Sequence, residues 1–135
     1  MKRCQVARLI FAVFLAALPA VAAQSSSAAP VPKYDKASEA VFKGTIVEVR
    51  DRQCPVSGGL GSHIVVKLGD GSTLEVHLST TKFVKQYELA FKVGDPVEIT
   101  GVKVKFENVD TIFARKIKCG TDEFLFRDND GKPLW

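Results

Sequence analysis

The sequence predicts an all-β domain, five strands rolled into a small Greek-key barrel with one short helix. Three observations carry this. Residues 41–119 hold short runs rich in β-branched and apolar residues, several alternating with polar ones at the period of a half-buried strand. Gly, Asp and Pro clusters separate the runs, and Gly69-Asp70-Gly71-Ser72 is a strong hairpin signal. One helical pattern, Thr80 to Leu89, interrupts the strands after the third.

Residues 1–23 have the three-part layout of a secretory signal: a basic head with Lys2, Arg3 and Arg8, an apolar run from Leu9 to Ala20, and Val21-Ala22-Ala23 before the expected cleavage point. The apolar run is short for a membrane span, and no second candidate follows. A periplasmic or secreted protein is expected. Removing three basic residues takes the 19 Lys and Arg to 16 against 15 acidic residues, about +1, which removes the basic footprint of a nucleic-acid binder. Residues 24–40 are rich in Ser, Ala and Pro and read as a flexible leader. The domain spans 41–135.

Its first strand is Val41 to Arg50, with Gly44 where a bend or bulge would fall. A loop, Arg52 to Ser62, holds Cys54-Pro55 and Gly58-Gly59-Leu60-Gly61. Ile64 to Leu68 and Thr73 to Leu78 form the hairpin. In the helix, Thr80 or Thr81 is the cap, and Phe83 and Tyr87 share a face. Gly94-Asp95-Pro96 turns into a fourth strand, Val97 to about Phe106, whose inward face switches near Gly101. Thr111 to Cys119 is the fifth. Glu123 to Arg127 adds a C-terminal β-hairpin, ending in a plain Asp128-Asn129-Asp130-Gly131 turn and a tail whose Trp135 folds back on the barrel or marks a contact surface.

Three strands, a short helix and two strands is the order of an OB-fold. The glycine in the long first strand and the Gly94–Gly101 entry to the fourth fit that fold over about 41–119. On these features the chain resembles small exported bacterial OB-fold proteins of the envelope, the BOF-like group. It departs from them in its Gly-rich first loop, its cysteine pair and its added hairpin. Export, a binding fold and the missing catalytic motifs point to a non-enzymatic binding module, expected to be a monomer, whose ligand is an oligosaccharide, a small ligand or an envelope protein. Signal cleavage removes Cys4 and leaves Cys54 and Cys119, an even pair that favours a disulfide over a metal or redox site. Strands one and five end on the same side of such a barrel, in agreement with that bridge; the alternative is two separate thiols.

The hairpin carries the candidate site. For Ile64, Val66 and Leu68 to face the same core as Leu74, Val76 and Leu78, the turn must hold an odd number of residues, such as three with Gly71 left-handed. The other face then collects His63, Val65 and Lys67 beside Thr73, Glu75 and His77, with His63 directly across from His77. The candidate ligand-binding residues are His63, Lys67, Glu75 and His77. His63 and His77, with Glu75 close by, are a possible Zn²⁺ or Cu²⁺ pair or a pH-responsive pair. The alternative is two surface histidines with no third ligand. No other cofactor is implied.

Single-stranded nucleic acid is a further alternative, served by Lys103, Lys105, Arg115, Lys116 and Lys118. Glu98, Glu107 and Asp110 dilute that stripe, and the hairpin face lacks the aromatics such binding needs. Phe83, Tyr87, Phe106 and Phe113 read as core and helix-plug residues. No Gly-x-Ser-x-Gly, His-Glu-x-x-His or phosphate loop is present, so an enzyme is not expected.

Overall fold

One long strand pairs on both sides and sets the architecture. The computed structural model describes residues 30–135, so the expected signal peptide and the start of the leader lie outside the described residues. A single 3₁₀ turn, Lys36–Ser38, leads into β1 (Glu39–Cys54), followed by β2 (Gly59–Leu68), β3 (Thr73–Thr80), α1 (Thr81–Gln86), β4 (Pro96–Phe106), β5 (Val109–Cys119) and β6 (Asp122–Leu125). The first part of β1 pairs with β4 and the second with β2, both antiparallel. β2 pairs with β3, β4 pairs with β5, and a short parallel ladder joins β3 to β5, closing five strands into a ring. β6 extends the sheet beyond β5.

Two irregularities curl the ring. β1 carries a bulge between Ile46 and Glu48, and β4 and β5 shift register between Thr100 and Gly101. At the second shift the buried positions of β4 change from Val97 and Ile99 to Val102 and Phe106, the expected switch of face. Gly44 serves a different purpose from the bulge: a Cβ there would sit 2.5 Å from the Lys67 carbonyl oxygen, so glycine lets β1 and β2 approach. The core inside the ring is Ile46, Ile64, Val66, Leu74, Val76, Leu78, Val97, Ile99, Ile112, Ala114 and Ile117, closed at one end by Phe83 and Phe126.

Four expectations are corrected. The loop expected over Arg52–Ser62 is mostly strand: β1 runs to Cys54 and β2 starts at Gly59, because the long ladder between them draws in residues that show no alternation of their own. The leader is shorter than expected, since Glu39 and Ala40 already pair with β4. The helix stops at Gln86, where Tyr87 caps it and Glu88 takes a φ of 52°; Tyr87 is left exposed, tilted against Phe83 with ring centroids 4.8 Å apart. Cys54 and Cys119 are free thiols. Glu98 pairs with both Lys43 and Lys118, which puts Cys119 level with Gly44 in the first half of β1, whereas Cys54 ends that strand. About nine residues of extended chain, roughly 30 Å along the strand, separate those levels. Among the described residues, no helix is long and apolar enough to cross a membrane.

Candidate metal centre

Strand parity brings three ligating side chains to one point. In the β1–β2 ladder Arg50 opposes His63, Arg52 opposes Gly61 and Cys54 opposes Gly59, so Arg50, Arg52 and Cys54 share a face with His63. The β2–β3 ladder pairs His63 with His77, the register expected from the turn. That turn is tight, with Leu68 N–H donating to Ser72 O at 2.8 Å and Gly71 at a φ of 86°. The two rings meet edge to face, with centroids 4.9 Å apart. Gly61 holds the gap open: a Cβ there would lie 3.1 Å from Cys54 Cβ, 3.1 Å from His63 Nε2 and 2.6 Å from Ser57 Oγ.

Cys54, His63 and His77 each offer a ligand atom, and these atoms all lie within 4.8 Å of one another. A bound ion would bring two imidazole nitrogens and a thiolate to roughly 3.3–3.8 Å apart, so side-chain adjustments suffice. The structure departs from the alternative of two surface histidines, because this face is buried: Cys54 is 2% exposed, and His63 and His77 are 1% exposed each. Phe113 and Trp135 lie against His77 with ring centroids at 5.8 and 5.7 Å, and the β1–β2 turn brings Ser57 Oγ to 2.9 Å from its Nε2. Among the described residues, neither His63 Nε2 nor His77 Nδ1 has a hydrogen-bond partner, and both are buried.

The electrostatics of Cys54, Glu75 and His77 favour ligation, whereas at His63 an ion must displace a proton. Glu75 Oε1 sits 2.7 Å from His63 Nδ1, an outer carboxylate of the kind that orients a metal-binding imidazole and leaves Nε2 for the ion. Arg50 and Arg52 donate to the Glu75 carboxylate at 2.9 and 2.8 Å. The His63 contact, against the opposing effect of burial and with help from Arg52, holds Glu75 down to about 2. Burial pushes the Cys54 thiol up, but the neighbouring His63 imidazole and backbone donors outweigh it, and the thiol is lowered toward the ligating thiolate. Burial likewise pushes His63 down, and Cys54 with Glu75 reverses it. Burial, then the charges of His63 and Arg127, drops His77 to about 3, so it stays a neutral donor at ordinary pH.

Of the four residues expected on the ligand face, three converge. Lys67 does not: it is exposed near the turn, on the far side of Val65 from His63. Cys54, Ser57, Arg50 and Arg52 complete the site and were not expected there. The available signal was the glycine at Gly61, between two residues that must touch. The basic stripe is largely answered by acids, with Lys103 and Lys105 on Asp110, Lys116 on Glu123, and Arg115 bidentate to Glu39.

A family model matches residues 38–124, from the start of β1 to within β6. The chain belongs to the MamS/MamX magnetosome protein family. This replaces the expected BOF-like resemblance as the family assignment. The family match takes in Cys54, Ser57, His63, Glu75 and His77 and stops before Arg127 and Trp135, so the tail over His77 lies beyond it. A comparison with curated proteins returns no match.

Proposed function

We propose that the protein is an exported, non-enzymatic metal-binding module, in which Cys54, His63 and His77 hold one transition-metal ion inside an OB-type barrel. The observation that carries this is the convergence of three buried ligand atoms within 4.8 Å, two of them on imidazoles with an unpartnered nitrogen. A thiolate with two imidazoles suits Zn²⁺ or copper, and Glu75 supplies the outer-shell partner such histidines use. The ring order β1-β2-β3-β5-β4 with a helix between β3 and β4 supports the OB reading. The N-terminal layout supports export, and the family description associates these proteins with the magnetosome.

The test is titration of purified apo protein, under reducing conditions, with Co²⁺ as an optical probe and with Zn²⁺ and Cu⁺. One equivalent should bind, with a near-ultraviolet thiolate-to-cobalt band. Cys54→Ser should remove that band, and His63→Ala or His77→Ala should weaken binding by about a hundredfold. A protein that binds none of the three ions, or variants that bind like the parent, would overturn the proposal.

A further inference from the structure

A buried cation stands behind the candidate metal centre, and no anion among the described residues answers it. Arg127 is 6% exposed; its Nη1 donates to the Gly131 carbonyl at 2.9 Å, and its Nε has no partner among the described residues. No carboxylate lies within ion-pair distance of it among the described residues. The guanidinium is instead caged by rings, with its centre 4.9 Å from the Trp135 centroid, 5.2 Å from Tyr34 and 5.7 Å from Phe113. Phe113 and Trp135 are the two rings that contact His77. The charge therefore sits one aromatic layer from a metal-ligand candidate. An unpaired cation in such a place is unfavourable for folding alone, which makes it a candidate for function.

The surrounding charges give it a role. Glu75 is already answered by Arg50 and Arg52. Among the described residues around the centre, that leaves the Cys54 thiolate to offset an ion. With a monovalent ion the first shell of thiolate and two neutral imidazoles is neutral. With a divalent ion it keeps a net positive charge facing Arg127. The soft thiolate favours copper(I), the two imidazoles suit copper and zinc alike, and three donors are a sufficient shell for copper(I). We infer that Arg127 is a specificity-determining residue that biases the Cys54–His63–His77 centre toward Cu⁺ and against divalent ions. The inference rests on the metal-binding reading above.

The experiment measures affinity for Cu⁺ by competition with bicinchoninate under reductant, and for Zn²⁺ by competition with a chromophoric chelator. The proteins are the parent, Arg127→Met, Arg127→Gln and Arg127→Lys, with folding checked by circular dichroism. Removing one positive charge should tighten binding in proportion to ion charge: on the order of tenfold for Cu⁺ and roughly its square, about a hundredfold, for Zn²⁺. Arg127→Lys should match the parent. Arg127→Gln keeps a donor for Gly131 and serves if the Met variant fails to fold. Equal changes for both ions, or none, would overturn the role of Arg127 while leaving the centre intact. A parent protein that binds neither ion would overturn the metal reading itself, and this inference with it.

Discussion

Glu39 and Glu75 show how single carboxylates fix this molecule. Glu39 opens β1 and receives two bonds of 2.8 Å from Arg115 on β5 and one of 2.6 Å from the Tyr34 hydroxyl. Arg115 foremost, opposed by burial and assisted by Tyr34, holds its carboxyl down to about 2. A carboxylate depressed in the fold stabilises above its unfolded pKa and loses that contribution as pH falls through the folded one. The contribution should be full above about pH 4.5 and fade toward pH 2, amounting to roughly 2 kcal/mol after allowance for solvent. Glu39→Gln should flatten that part of a pH series of urea unfolding curves; an unchanged acid limb would contradict the assignment. Glu75 does the equivalent work at the candidate centre. Its place there was legible in the sequence because strand parity put it on the face of His63 and His77. Cys54 was not legible, since its partners depend on a ladder that its own neighbours do not announce.

At the level of elements, two hairpins meet at the centre and differ in how far sequence specifies them. The β2–β3 hairpin has six alternating apolar residues and a Gly-Asp-Gly turn, so one register alone puts Ile64, Val66, Leu74, Val76 and Leu78 in the core. The β1–β2 hairpin has no such pattern between Gln53 and Ser62. Its register comes from the length of the ladder, and Gly61 is the position that lets the two hairpins share a site. Gly61→Ala should leave the fold recognisable by circular dichroism while weakening metal binding by about tenfold or more, because the new methyl meets His63 Nε2 and Ser57 Oγ. Titration with Co²⁺ reads this out; parent-like affinity would mean the gap is not the ion's place. The short helix is legible through Thr80, which accepts from Phe83 N–H at 3.2 Å. Its early end was not, because Tyr87 looks apolar in periodicity yet has no core left to enter.

Across the whole molecule, ring closure decides where distant residues stand. Stagger accumulates around the ring, so two strands that run the same way do not end together, and Cys119 comes level with the first half of β1. The thermal midpoint should therefore be unmoved by reductant and by Cys119→Ser. A bridge closing so long a loop would have contributed about 4 kcal/mol in the chain-entropy account, on the order of 15 °C in parallel melts. Closure also covers the histidine face. The tail returns through the Arg127–Pro133 bridge and a bond from Leu134 N–H to Phe126 O at 3.1 Å, and this seats Trp135 against His77. Nothing local to Pro133-Leu134-Trp135 names that destination.

By itself, the sequence determined what depends on neighbours along the chain: an all-β class, the element order, the β2–β3 register with His63 facing His77, and the change of face near Gly101. Alternation and turn chemistry act over a few residues and can be read there. Only the tertiary structure decided what depends on stagger and coverage: that Cys54 joins the histidines and not Cys119, that the site is buried, and that Arg127 stands behind it unpaired. Those outcomes follow from how five strands close and what the tail then covers, and that geometry belongs to the ring as a whole.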